Sequence, residues 1–490
     1  MSPLKSHRAK PKIGLMQLVW VFQSETGDRT FSVDNSINSS NFRKMSPLLY
    51  SWRLLAKSQT TSGQSREVLY CFVLKLNTAI RGILYRIGPG GHEVETENNG
   101  TFSIDHWFDG LAQIHRFNII DSKSVTYNSR HTCDSVIEYY RQQGGIGKRF
   151  SFGQGRDPCR SVLGKFISVF KSDQPIPLQN RKFSDANISV TVSTDFPGLP
   201  STAASGNISN LYAKTDAPTF QALHPETLEP VGLANQECLH PSLKGQLSAA
   251  HARSDPVTGD FFNFNCELGK KGTYRVFKVC RESGKTIILA TIRDAPPAYI
   301  HSFFLTKKYV ILCVWNSHFS HGGCGVLWHK NIVDALKYAD SEKARFYVID
   351  RMDSMSGVVG VYESEPFFAF HTINAWEEER ADGADDVICE VTTFSNLDIL
   401  KKFYFHNLLS NAKQSHSWLL KKEPRVTRWR LGAVGSEGIK VDTSAMSKRK
   451  KAGYSCGVKI RVAVKEYWGS EDQNFDLPTI NPEYLCKCHR

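Results

Sequence analysis

The run Thr273-Tyr274-Arg275-Val276-Phe277-Lys278-Val279-Cys280-Arg281-Glu282-Ser283-Gly284-Lys285-Thr286-Ile287-Ile288-Leu289-Ala290-Thr291-Ile292 decides the fold class. Two short segments rich in β-branched and aromatic side chains flank Ser283-Gly284, a turn dipeptide. The pattern predicts two strands, Thr273–Val279 and Thr286–Ile292, joined by a tight turn. The rhythm continues on both sides: strands are expected over 261–264, after the Thr258-Gly259 turn, then over Tyr309–Val314, 344–349 and 387–393. Many short strands at near-regular spacing predict an all-β chain, as a sandwich, a barrel or a propeller. For 490 residues one sandwich is too small, and blades of about four strands fit better. No WD or kelch repeat signature accompanies them.

Towards the N-terminus, residues 81–91 read as an apolar strand running into a glycine-proline turn, and Asp109-Gly110 as a turn ahead of an alternating strand. Strands are expected over 125–128, 188–193 and Thr219–Leu223. A helix is expected over Asp134–Gln143, with its acid early and Arg141 late. Segments 332–338 and 395–408 read as helical caps, and His318, His321 and His329 as loop residues among glycines. Residues 1–80 form a weakly patterned leader whose one good strand candidate is 68–76, and 81–490 form the β domain.

Composition excludes several classes. Apolar residues make up 41% of the chain and charged residues 22%, which suits a globular protein with ample core. The net charge is +13, part of it in Lys448-Arg449-Lys450-Lys451. No aromatic residue interleaves that block, so it reads as a solvated loop and no nucleic-acid partner is expected. An anionic membrane surface is a second use for the charge. No apolar run is long enough to span a bilayer, and no secretory signal core opens the chain. The twelve cysteines are scattered, with no zinc-like CxxC pair, and read as reduced thiols of a cytoplasmic protein.

One histidine sits in an apolar and aromatic run, Pro366-Phe367-Phe368-Ala369-Phe370-His371-Thr372-Ile373-Asn374-Ala375-Trp376. A buried imidazole must satisfy both ring nitrogens, either on backbone groups or with a metal on one of them. The stretch alone leaves both readings open. His251, before an expected strand, and His301, in Tyr299-Ile300-His301-Ser302-Phe303, share the setting. Separate blades aiming one imidazole each at a common axis would make a site suited to iron(II), copper or zinc.

The blocks Gly82-Ile83-Leu84-Tyr85-Arg86-Ile87-Gly88-Pro89, His106-Trp107-Phe108-Asp109-Gly110, His251-Ala252-Arg253, Tyr299-Ile300-His301-Ser302-Phe303 and Phe370-His371-Thr372-Ile373-Asn374-Ala375-Trp376-Glu377 resemble, in order and spacing, the carotenoid cleavage oxygenase family. The resemblance covers roughly residues 80–490. Asp157-Pro158-Cys159 and Thr215-Asp216-Ala217-Pro218 give it a fungal flavour. It implies a seven-bladed β-propeller with Fe(II) on its axis held by four histidines, of which His251, His301 and His371 match the first three. It implies a dioxygenase that cleaves a conjugated C=C bond of a carotenoid or apocarotenoid with O2, giving two carbonyl products. It further implies an apolar tunnel, peripheral contact with a membrane, and acids that accept from imidazole N–H groups, matched here to Asp185 and Asp476. Some fungal relatives cleave stilbenes and ionise the phenol with a Tyr and a Lys. Tyr127 and Arg160 stand at about those places, and an Arg cannot take the proton, which favours the carotenoid reading.

The chain also departs from the family. The block Leu477-Pro478-Thr479-Ile480-Asn481 ordinarily precedes a further stretch bearing the fourth histidine, and His489 stands in a polar, terminal context instead. The expectation is therefore an incomplete propeller lacking the fourth ligand, with an inactive remnant as the alternative to an enzyme.

Overall fold

The structure is a computed structural model that describes residues 17–22, 31–35, 68–69, 81–121, 124–147, 149–154, 181–203, 206–409, 424–435 and 460–468. The described residues are mostly β. Five main sheets occupy successive parts of the chain, antiparallel throughout except where Val358–Ser364 pairs in parallel with Arg461–Val462. The first has the order Phe31–Asn35, Gln17–Phe22, Gly82–Gly91, Leu111–Ile119, Val125–His131, Val68–Leu69. The second runs as a meander through Thr191–Thr194, Leu211–Lys214, Thr219–Leu223 and Pro230–Asn235. The third comprises Leu247–Ser248, Phe261–Glu267, Thr273–Val279 and Thr286–Ile292, with Arg253–Ser254 also on Phe261–Glu267. The fourth comprises Phe304–Leu305, Tyr309–Val314, Ala344–Asp350, Val358–Ser364 and Arg461–Val462. The fifth comprises Thr372–Glu379, Asp385–Thr393, Arg425–Val434 and Val464–Trp468.

The sheets stack face to face, and strand alternation shows how. In Phe261–Glu267, Phe261 faces the second sheet together with Phe277 and Val279, packing on Tyr212 and Phe220. Phe262 and Phe264 point the other way, with Tyr274 and Val276, into the core shared with the fourth and fifth sheets. Side chains on a strand alternate faces, so a strand between two packed sheets reads as a continuous apolar run. That is why Phe261, Phe262 and Phe264 are all apolar, and the one polar side chain among them, Asn263, is buried with its amide bonded to the Ala249 backbone. Tyr85, Ile87 and Ile114 make the equivalent seam between the first and second sheets with Val192, Leu211 and Leu223.

Several expectations need adjustment. Of 332–338 only Ile332–Ala335 is helical, and Leu336–Tyr338 instead pairs with Ser317–Phe319. His318 therefore lies on a strand, and His329 ends a helix, Cys324–His329, rather than sitting in a loop. The expected helix over 395–408 divides into Asp398–Lys402 and Phe405–Leu409, because Tyr404 between them bridges to His106. Within the leader, Gln17–Phe22 pairs with Gly82–Gly91, so early residues contribute to the first sheet. The strand expected over 68–76 is present as Val68–Leu69, and residues 70–80 and the basic block 448–451 lie outside the described residues.

Candidate metal centre

Each of the three candidate histidines stands where a sheet begins. His251 follows Leu247–Ser248, His301 precedes Phe304–Leu305 and His371 immediately precedes Thr372–Glu379. Backbone bonds tie these places together: His251 N–H donates to the His301 carbonyl at 3.2 Å, and His251 bridges Ser302 in parallel fashion. The three rings meet edge to face, with centroids 4.6 Å apart for His251–His301, 4.8 Å for His251–His371 and 5.1 Å for His301–His371. One nitrogen from each lies within 4.8 Å of the others.

Polar side chains next to the histidines lock this arrangement. The Ser302 hydroxyl donates to the Phe370 carbonyl at 2.7 Å and accepts from Thr372 N–H at 2.8 Å, spanning His371. The Arg253 guanidinium donates to the Phe303 carbonyl at 3.2 Å and to Thr372 Oγ1 at 2.6 Å, tying the three segments into one frame. Asp216, which arrives ahead of the third sheet, accepts from His301 Nδ1 at 2.8 and 2.9 Å. That bond places the proton on Nδ1 and leaves Nε2 of His301 for the centre.

The donor set fits a resident divalent metal. Burial holds the His251 imidazole well below the ordinary histidine range, and the neighbouring His301 and His371 push the same way, so it is held neutral, the form that ligates a metal. His251 Nε2 and His371 Nε2 are 3.3 Å apart. Two imidazoles at right angles on one ion, with bonds of about 2.1 Å, place their nitrogens about 3 Å apart. The surroundings are apolar. Phe370 lies 5.9 Å from the His301 ring and 5.9 Å from Phe108, which stacks on with Phe403 at 4.9 Å. Phe152 reaches Tyr299 at 5.5 Å from the same side.

That aromatic wall has its own support. Asp109 accepts the N–H groups of Phe152, Gly153 and Gln154 at 2.6, 2.8 and 3.0 Å, which fixes the Phe152 loop. Gly153 packs so close to His106 that a Cβ there would lie 2.5 Å from the imidazole carbons.

Residues 76–490 match the family described as RPE65, retinal pigment epithelial membrane protein. The chain belongs to this carotenoid oxygenase family. It is 40% identical over 358 residues to a carotenoid dioxygenase of Neurospora crassa, covering 67% of this chain and 58% of the relative. It is 37% identical over 380 residues to a torulene dioxygenase of Gibberella fujikuroi, covering 71% of this chain and 64% of the relative. The chain thus spans less than two thirds of the length of either. Among solved structures, cobalt-substituted apocarotenoid oxygenase of Synechocystis aligns with a TM-score of 0.54 at 19% identity, over 76% of this chain and 68% of that one. That likeness shows a shared fold.

Within this member of the family, the other site expectations fall as follows. Asp185 pairs with Arg149 at 2.7 Å, and the described acid bonded to a clustered imidazole is Asp216. Tyr127 lies on the first sheet, where its hydroxyl meets His115 Nδ1 at 2.7 Å. Arg160 and Asp476 lie outside the described residues. Asp216 was present in the sequence as part of Thr215-Asp216-Ala217-Pro218, but nothing local marks it as an imidazole's partner, since 85 residues separate it from His301. Ser302 and Arg253 adjoin histidines in the quoted blocks, yet their linking role needs the strand ends side by side.

Proposed function

We propose that the chain is an iron(II)-dependent dioxygenase that cleaves a conjugated C=C bond of a carotenoid or apocarotenoid with O2, yielding two carbonyl products. The observation that carries this reading is the convergence of His251, His301 and His371 at the edge of an aromatic wall. These three residues would hold the metal, within a seven-bladed propeller in which 81–490 is the catalytic domain. Iron(II) bound there would supply the activation of O2. The chain's own residues do the rest. Phe370, Phe108, Phe152 and Phe403 give a linear polyene an apolar surface and exclude water from the reacting bond. The overall reaction needs no acid or base: both oxygens of O2 end in the two carbonyls and no proton is lost.

A lipid surface is the proposed source of such a substrate. Phe150 (58% exposed), Leu327 (55%) and Trp328 (39%) support it. Ser151 and Lys330 bond to each other at 3.0 Å and bring these side chains to one region. No helix among the described residues is long and apolar enough to cross a membrane.

The test is to load the chain with Fe(II) anaerobically, then add torulene or an apocarotenal with 18O2. Two aldehyde or ketone fragments, each carrying 18O, are expected by mass spectrometry. Iron uptake with no cleavage of either polyene or of a resveratrol-like stilbene would support a metal-binding remnant. Cleavage of the stilbene alone would replace the substrate class.

A further inference from the structure

Asp216 accepts more than the His301 imidazole. Its Oδ1 also receives Ala250 N–H at 3.1 Å, and its Oδ2 receives the Tyr299 hydroxyl at 2.8 Å. The Tyr299 oxygen lies 3.2 Å from His301 Nδ1 as well. A carboxylate has no proton to give, so the phenol proton points at Asp216 and the phenol lone pairs face His301. Three acceptor oxygens then surround one ring nitrogen, which can only be protonated. Tyr299 is 2% exposed, and its carbonyl is held by Trp315 Nε1 at 2.8 Å and Ser317 Oγ at 2.7 Å, so the ring has a fixed base.

Resting on the metal centre proposed above, we infer that the Tyr299 hydroxyl is a positioning group. It claims the second oxygen of Asp216, prevents the carboxylate from rotating, and so holds His301 with Nδ1 protonated and Nε2 aimed at the centre. With one donor alone, the carboxylate could turn away and the imidazole could change tautomer. With the amide of Ala250 on one oxygen and the phenol on the other, the ring between them is held. Because Ala250 precedes His251, the same carboxylate couples the places of two candidate ligands.

Cobalt(II) binding to the full chain, measured by competition with a chromophoric chelator and by the d–d absorption of the complex, tests this without turnover. Tyr299→Phe keeps the ring and its packing. It is expected to bind Co(II) about 10-fold more weakly, the scale of losing a partner behind a metal ligand, with an altered d–d spectrum and a folded chain whose melting temperature is modestly lowered by the lost buried hydrogen bond. Asp216→Asn should weaken binding further, and adding Tyr299→Phe to it should change nothing more. A Tyr299→Phe chain that binds like wild type overturns the inference, as does one that loses the same factor with or without Asp216. Should that variant misfold, 4-aminophenylalanine at position 299 retains a donor, and binding close to wild type is expected there. Wild type that binds no Co(II) overturns the metal centre itself, whereas wild type that binds alongside an unaffected Tyr299→Phe overturns only the role of the hydroxyl.

Discussion

At His106, burial and hydrogen bonding select one charge state. The ring is fully buried, accepts Phe108 N–H on Nδ1 at 3.2 Å and donates from Nε2 to the Leu400 carbonyl at 2.9 Å. Burial pushes its pKa down to about 4, with the bond to Leu400 acting weakly the other way. An unfolded chain protonates histidine near 6.5. Between pH 6.5 and 4 the folded state therefore binds fewer protons than the unfolded state. The stability tied to His106 is complete above about pH 6.5 and is lost as pH falls toward 4, amounting to about 2 kcal/mol by pH 5. His115, also held near 4 by burial and by Arg86 and His131, adds loss of the same sign. Asp109, raised to about 6 by burial, opposes it below that pH. Melting temperatures from pH 7.5 to 5 should fall more steeply for wild type than for His106→Asn, whose amide oxygen can still accept Phe108 N–H; parallel curves would show that His106 is not the titrating group. At the centre, His371→Ala removes one of three converging nitrogens and should reduce Co(II) binding to background in equilibrium dialysis, while near-wild-type binding would place the metal elsewhere.

Among the elements, legibility follows locality. Thr273–Val279, Thr286–Ile292, Tyr309–Val314 and Asp134–Gln143 form where composition and turn residues place them. What decides them lies within a few residues. Leu336–Tyr338 is strand rather than helix because its partner, Ser317–Phe319, sits elsewhere in the sequence, and that pairing overrides local propensity. The site divides the same way. The histidine-bearing strand starts are visible as apolar runs, but Asp216 joins them only through the topology. Ser302 shows how an element boundary carries the centre. Ser302→Ala would leave the Phe370 carbonyl and Thr372 N–H without their hydroxyl partner in a buried place. That loss should cost about 1–3 kcal/mol, read by urea unfolding, and should weaken Co(II) binding as well. A stability loss with metal affinity untouched would show that the frame does not need the latch.

Across the whole molecule, the question is what holds one sheet to the next when each presents two apolar faces. Packing supplies most of it, since the core around Phe262, Phe346 and Phe367 runs unbroken through the third, fourth and fifth sheets. Packing alone, however, is tolerant of sliding, and a centre built from three sheets is not. A directional contact lies at the boundary of the third and fourth sheets. Arg351, at the end of Ala344–Asp350, pairs with Asp255, donates to the Thr306 carbonyl at 2.8 Å and lies 4.6 Å over the Phe262 ring. Arg351 is 6% exposed and Asp255 9%, so neither charge has water to fall back on. Asp255 in turn accepts Val257 and Thr258 N–H at 2.7 and 2.8 Å, anchoring the turn just beyond His251. Breaking a buried pair strands the remaining charge, a loss of about 3–5 kcal/mol, whereas removing both charges costs much less. Arg351→Met should therefore lower the urea midpoint markedly, and Asp255→Asn with Arg351→Met should recover much of that loss, because Asn still caps the turn. If the single variant unfolds within about 0.5 kcal/mol of wild type, the range of an ordinary surface substitution, the two sheets are registered by shape alone. If the double variant is as unstable as the single, the contribution lies in the Arg351 packing on Phe262 rather than in the charge pair.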